Sequence, residues 1–317
     1  MTTPSEIYVG IDVGKTWLDV AQWGNDAVWR VTNDADGIAK IMGRIRELGP
    51  NLIAVEASGG YEQPVVQALL MKNMPVAVAN PTRVRALAKA TGKLAKTDKI
   101  DARLIAEYAL KIQPAAQVPK EDNEICLKAM VTRREQLVEM RTAEQNRLGI
   151  SHDTLKAAIH EHIQWMGEQI KDLDAQIEEL VDNLPEWKAQ VERLESIPGV
   201  GKVTAVTILA DMPELGQLDR QKIAALAGLA PFNRDSGKKR GKRRIFGGRK
   251  GVRRVLYMAC LSAIKWNPVI QSMYQRLIKK GKVFKVAITA CMRKLLTIMN
   301  AMARDQLMWK EPIHIQN

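Results

Sequence analysis

Cysteine is the first thing this chain of 317 residues has little of: Cys126, Cys260 and Cys291 stand far apart and fit no zinc spacing. So few, in odd number, argue against a disulfide framework and suit a reducing compartment. No apolar run approaches the roughly 18 to 20 residues that a membrane span requires. The opening residues, Met-Thr-Thr-Pro-Ser-Glu, lack the charged start and apolar stretch of a secretory signal. A Gly-x-x-x-x-Gly-Lys-Ser/Thr phosphate loop is also missing, which speaks against a P-loop ATPase. No internal repeat stands out. Together these absences predict a cytoplasmic, globular protein.

Positive charge, by contrast, is plentiful, with 48 Lys and Arg against 35 Asp and Glu. It is also concentrated. Lys238, Lys239, Arg240, Lys242, Arg243, Arg244, Arg249, Lys250, Arg253 and Arg254 follow one another without an intervening acid. Such a run repels itself unless a polyanion neutralises it, and a phosphate backbone does so with release of counterions. A solvated loop is the plain alternative. An anionic membrane suits the run less well, because apolar residues are sparse within it.

The first hundred or so residues alternate strand and helix signals. Ile7 to Val13 reads as a buried strand, with Trp17 to Trp23 as its hairpin partner across Gly14-Lys15. A helix is predicted at about Asp36 to Leu48, a strand at Leu52 to Ala57, a helix at Tyr61 to Lys72 and a strand at Val76 to Asn80. Pro81 then opens a basic helix running to about Lys93. Strands alternating with helices imply a central sheet covered by helices.

After Pro119 the pattern becomes helical. Ile159, Ile163, Met166, Ile170, Leu173, Ile177 and Leu180 alternate steps of four and three, the spacing of a coiled-coil seam. With the preceding helical stretch, Ile125 to Leu148, the seam makes either a dimerisation arm or a packing stripe within one chain. Ile197-Pro-Gly-Val-Gly201 is a turn between helices. It resembles a helix-hairpin-helix, whose backbone N–H groups contact DNA phosphate, and reads equally as a simple connection. Further helices are expected at Lys202 to Asp211, Gln221 to Leu229, Val252 to Trp266 and Val283 to Leu307.

Two acids break apolar strands. Asp12 lies within Ile7 to Val13, and Glu56 directly follows Leu52-Ile-Ala-Val55. A carboxylate beside a buried strand is costly unless it is paired or binds a metal. Downstream, Asp98 and Asp101 sit three apart at the start of a helix and share one face. Alone, that pair reads as helix capping and dipole compensation. With Asp12 and Glu56 it completes an all-oxygen set suited to Mg²⁺, or Mn²⁺, in the manner of RNase-H-like nucleases. Two such ions about 3.5–4 Å apart activate an attacking oxygen and stabilise a leaving one. Asp19, flanked by Leu18 and Val20, is expected to face solvent. Gly10-Ile-Asp-Val-Gly-Lys-Thr16 also resembles the first phosphate loop of the actin and sugar-kinase ATPases. That reading needs a second Gly-rich nucleotide domain, and the helical and basic segments occupy its place.

Ser236, between Asp235 and Gly237, stands at the head of the ten cations. A lone Ser-Gly is a turn by default. Among cations, and with metal assistance, a serine can serve as a nucleophile toward phosphorus.

These segments in their order, with Val-Glu56-Ala-Ser-Gly-Gly-Tyr, Lys-Thr-Asp98-Lys-Ile-Asp101-Ala and Val-Arg-Arg-Val-Leu-Tyr257-Met, resemble the DEDD transposases of bacterial insertion sequences. This is the family numbered one hundred and ten, which includes the Piv-type DNA invertases. The resemblance covers nearly the whole chain. It implies a RuvC-like, RNase-H-fold α/β domain over residues 1–118, an α-helical coiled-coil linker over 119–194, and a mainly helical transposase domain over 195–317. It also implies Asp12, Glu56, Asp98 and Asp101 as catalytic metal ligands, Ser236 as catalytic nucleophile, and donor and target DNA as partners. A structured bridge RNA pairs with both DNAs in that family, and a homodimer, tetrameric in the synaptic complex, is the implied assembly. Localisation would be cytoplasmic, on the nucleoid when active. A RuvC-like structure-specific endonuclease without serine chemistry is the alternative reading.

Overall fold

The computed structural model describes residues 6–93, 98–119, 121–233, 241 and 243–310, without the side chains of Asp98 and Lys99. The chain divides into two compact units, residues 1–120 and 121–317.

The first unit contains β1 (Tyr8–Val13), β2 (Trp17–Gln22), β3 (Val28–Thr32), α1 (Ala35–Leu48), β4 (Leu52–Glu56), α2 (Gln63–Met71), β5 (Val76–Ala79), α3 (Pro81–Ala90) and α4 (Asp98–Ile112). The five strands form one mixed sheet in the order β3-β2-β1-β4-β5. The three strands β1 to β3 are a meander, and β4 and β5 add parallel to β1. Strand β3 is an addition to the sequence-based expectation. It is a half-buried edge strand with an exposed Arg30 at its centre, so its apolar pattern is weak.

Period-two alternation sends the two faces of the sheet into two separate cores. Val9, Ile11, Val13, Leu18, Val20, Ile53 and Val55 pack with residues of α1 and α2 on one face. On the other face Tyr8, Leu52, Ala54, Ala77 and Ala79 pack with α3 and α4. Asp12 is two residues beyond Gly10, and Glu56 two beyond Ala54, so both acids belong to this second face.

Gly10 is the hinge of that arrangement. A Cβ there would collide with backbone atoms of Ala102, Ile105 and Ala106. Helix α4 therefore lies with its backbone directly on β1. At the contact it presents Ala102 and Ala106, both completely buried. Asp101 precedes the first of these and is carried to the strand ends.

The second unit contains α5 (Asp122–Leu148), α6 (Asp153–Asp182), α7 (Pro185–Glu195), α8 (Lys202–Asp211), α9 (Arg220–Leu226), β6 (Pro231–Phe232), β7 (Arg244–Ile245), α10 (Lys250–Trp266), α11 (Pro268–Lys279) and α12 (Phe284–Asp305). Helices α5 and α6 fold back on each other as an antiparallel hairpin. Met166 and Ile170 of the heptad stripe pack on Leu137, and Ile177 joins Leu127 and Val131 in the main core. From Met166 onward the stripe is thus covered by its own chain. The Ile197–Gly201 turn joins α7 to α8, with Ile197 buried and Gly201 exposed as the N-cap of α8. Helix α12 corrects the expectation that no apolar run approaches a membrane span. It is long and apolar enough by composition, yet Ile288, Leu295, Leu296 and Met299 place it in the core of this unit.

Gly10→Ala tests the contact between α4 and β1. Alanine ordinarily gains about 0.5–1 kcal/mol over glycine within a strand. Here the collision with the α4 backbone is expected to reverse the sign and cost about 1–3 kcal/mol, read as a lower urea midpoint for the sheet-containing unit.

Candidate active site

The parallel ladder between β1 and β4 ends at Ile11 opposite Val55, so Asp12 and Glu56 stand side by side at the carboxyl ends of neighbouring strands. Such strand ends are where open α/β sheets hold ligands. A cavity of about 670 Å³ opens there, and Asp12, Glu56 and Asp101 all line it, with Pro81, Thr82 and Arg85 on its α3 wall. Three of the four predicted acids thus line one cavity. The side chain of the fourth, Asp98, lies outside the described residues, as do Ser236, Lys238, Lys239, Arg240 and Lys242.

Asp19 is a correction. It is only 5% exposed and lines the same cavity. The expectation that it faces solvent treats β2 as a strand with one wet face, but β2 is covered on both faces, by the α1/α2 core and by α4. In register Asp19 lies opposite Asp12 on one side and Arg30 on the other. Arg30 grips it through both guanidinium arms, Nε to Oδ1 at 2.9 Å and Nη2 to Oδ2 at 2.8 Å. A row of ionisable side chains therefore crosses the sheet: Arg30, Asp19, Asp12 and then Glu56.

Other positioning groups surround the acids. Arg85 on α3 reaches Asp101 at 3.3 Å. Glu62, itself buried, accepts hydrogen bonds from the backbone N–H groups of Ser58 (3.0 Å) and Gly60 (2.8 Å). It thereby fixes the loop that leaves Glu56. Burial opposes its ionisation, but these N–H donors and its own outweigh burial and hold its carboxyl below the ordinary value. On α4, Glu107 is buried between Lys93 and Lys111, each at 2.6 Å. Burial again opposes its charge, and the two ammonium partners prevail.

The donor set fits a hard divalent cation: carboxylates converge on one cavity, and no thiol or imidazole lines it among the described residues. Among the described residues no three acids are drawn together into a metal-holding group. Like charges repel, and Asp19 and Asp101 are each turned toward an arginine.

In the second unit, several cations of the basic run have partners within the chain. Arg249 makes a two-pronged ion pair with Glu214, at 2.6 and 2.7 Å, and also donates to the Asp211 carbonyl. Arg254 pairs with Glu135 and Glu139, and Arg253 donates to the Ala227 and Gly247 carbonyls. Acids remote in sequence thus meet two of the run's cations, Arg249 and Arg254. Arg243, Arg244 and Lys250 are exposed.

Residues 9–155 match a transposase profile of the DEDD type, and residues 191–275 match the profile described as the transposase IS116/IS110/IS902 family. The first implies an RNase-H-like fold, in keeping with the mixed sheet above, and its nuclease-like relatives generally use divalent metal ions. The chain is 33% identical to the pilin gene-inverting protein of Moraxella lacunata over 98% of its own length and 99% of that protein's. It is 31% identical to an uncharacterised 42 kDa protein of insertion element IS900 from Mycobacterium paratuberculosis, over 49% of this chain and 39% of that one. With the transposase of insertion sequence IS1111A from Coxiella burnetii it shares 23% identity over 73% of this chain and 70% of that one. Fold, site and relatives define a DNA transposase or recombinase. The chain belongs to the IS110 family.

Asp19 and Arg30 escape sequence reading because their signal is cross-strand, and β3 has to be recognised before Arg30 can be set opposite Asp19. Their coupling is testable. Arg30→Met leaves a buried carboxylate without its partner and is expected to cost about 1–3 kcal/mol. Asp19→Asn combined with Arg30→Met should recover most of that loss. Additive losses in urea unfolding would show that the pair is not coupled.

Proposed function

We propose that this chain cuts and rejoins DNA strands by attack of Ser236 on phosphorus, assisted by a divalent metal, Mg²⁺ or Mn²⁺, held by Asp12, Glu56, Asp98 and Asp101. The observation that carries the reading is the convergence of Asp12, Glu56 and Asp101 on one cavity at the strand ends, in a chain of a transposase family. When bound, the metal supplies Lewis-acid stabilisation of charge on the transferring phosphoryl group. The carboxylates hold that cation, and Arg85 orients Asp101. The Ser236 oxygen forms the new P–O bond as the strand's own oxygen leaves with a proton. A covalent phosphoserine conserves the energy of the phosphodiester, so a DNA hydroxyl can reverse the step and reseal the strand without ATP. Lys238, Lys239, Arg240, Lys242, Arg243, Arg244 and Lys250 neutralise phosphates around this serine. Arg249, Arg253 and Arg254, held by acids and carbonyls, shape that surface more than they contact DNA.

By resemblance to its family, a structured bridge RNA pairs with donor and target DNA and carries the sequence specificity, in the way guide pairing does elsewhere. The protein works as a homodimer, with a tetramer at synapsis, in the cytoplasm and on the nucleoid. The functional division is an acid-bearing domain over 1–118, a helical linker over 119–194 and a serine-bearing domain over 195–317. An exposed Ile150, Leu155 and Trp165 near the free end of the α5/α6 hairpin leave apolar surface there for a second protomer.

The test is a trapped reaction. Wild type should yield DNA joined to the C-terminal half and stable to boiling in detergent. Ser236→Ala should lose the adduct and rejoining, and Asp12→Asn should lose cleavage while both fold and bind nucleic acid. Normal recombination by Ser236→Ala, or an adduct mapped to another residue, would instead assign the attack to water or to that residue.

A further inference from the structure

Phenylalanine occurs three times in this chain, and none of the three is in a core. Two of them, Phe232 and Phe246, belong to the β6–β7 hairpin and its exit, 49% and 78% exposed. Ile245 beside them is 40% exposed. The hairpin has only two rungs, Pro231 opposite Ile245 and Phe232 opposite Arg244. Cross-strand partners share a face, so Phe232 and Arg244 emerge on one side and Ile245 on the other. Among the described residues both faces are exposed, and none of the hairpin's side chains joins a core.

Its base, in contrast, is firmly seated. Gly248, at φ +72°, lies so close to Gly228 after α9 that a Cβ would strike the backbone there. The Arg249 N–H donates to the Leu226 carbonyl, and Arg253 ties the Gly247 carbonyl to that of Ala227. A rigid base thus holds out a blade of exposed rings flanked by arginines.

We propose that Phe232 and Phe246 form a stacking wedge for unpaired DNA bases, with Arg243 and Arg244 on the adjoining phosphates. Charge selects this occupant over an apolar protein surface. Phe246 lies inside the basic run, with Arg243 and Arg244 exposed just before it, and base–aromatic stacking beside a basic track is how single strands are held without sequence preference. The inference rests on reading this unit as the one that handles DNA strands, since Ser236 falls between β6 and β7 in sequence. A wedge beside the reacting phosphate would keep a strand unstacked while it is cut and exchanged.

The experiment measures binding alone, in EDTA, so its outcome does not depend on whether Ser236 attacks. Full-length protein is titrated into a short fluorescein-labelled DNA single strand, and separately into the matching duplex, with anisotropy as the readout. Phe232→Ala combined with Phe246→Ala should weaken single-strand binding about five- to a hundredfold. The duplex affinity and the salt slope should stay within twofold and unchanged, respectively. Phe246→Trp should bind as wild type or tighter, whereas Phe246→Leu, equally apolar but unable to stack, should behave like alanine. Unchanged thermal melting is expected of all variants, because the rings are exposed. Equal losses on single strand and duplex, full binding by the leucine variant, or no loss at all would each overturn the wedge.

Discussion

The contact that the site depends on is the seating of helix α4 against strand β1 across Gly10. A strand and a helix normally keep their backbones apart by the thickness of two side chains. Here one partner has no side chain, and the other brings the backbone of Ala102, Ile105 and Ala106 against it. The close approach brings the first turn of α4 down to the level of the strand ends. Asp101 is then delivered to the cavity where Asp12 and Glu56 already stand, as acids at the ends of β1 and β4. A Cβ at position 10 would strike the α4 backbone, so the close approach requires glycine there.

Gathering acids in one cavity raises their mutual repulsion, and the surroundings show how it is met. Arg30 clamps Asp19 and Arg85 faces Asp101, so each arginine takes up one negative charge at the rim. Glu62 and Glu107 carry charge of their own, but it is met by backbone N–H groups and by lysines, where it fixes the loop after Glu56 and the approach to α4. In the second unit the same logic operates with the signs exchanged. Glu214, Glu135 and Glu139 meet Arg249 and Arg254. Among the described residues of the run, Arg243, Arg244 and Lys250 stay exposed, the first two at the β6–β7 hairpin.

Much of this is legible in the amino-acid sequence. The apolar strands interrupted by Asp12 and Glu56 announce both the sheet and the cavity at its strand ends, because a carboxylate beside a buried strand is costly enough to demand a reason. Four strands and the helices between them fall near their expected limits, since buried strands and amphipathic helices carry strong periodic signals. What stays hidden is relational. Strand β3 is a half-buried edge with a weak pattern, so its Arg30 cannot be set against Asp19, and Asp19 reads as a residue of the wet side. Arg249 and Arg254 look like uncompensated charge because their partners, Glu214, Glu135 and Glu139, lie far off in sequence. The seam in α6 does not reveal whether it faces a second chain or α5, as a heptad pattern specifies an apolar partner without naming it. Only packing answers that, for Met166 to Val181.

The central proposal is that the ends of β1 and β4 and the start of α4 together hold a divalent metal. The direct measurement is Mn²⁺ binding to the full-length protein, followed by electron paramagnetic resonance of the free ion, for Asp12→Asn, Glu56→Gln, Asp101→Asn and a control, Asp36→Asn, at an exposed acid in the first turn of α1. The account predicts that each of the three site variants weakens Mn²⁺ binding by at least about tenfold, while the control binds as wild type. Unchanged binding by the Asp101 variant, with losses in the other two, would contradict the role given to α4, and unchanged binding by all three would contradict the site itself.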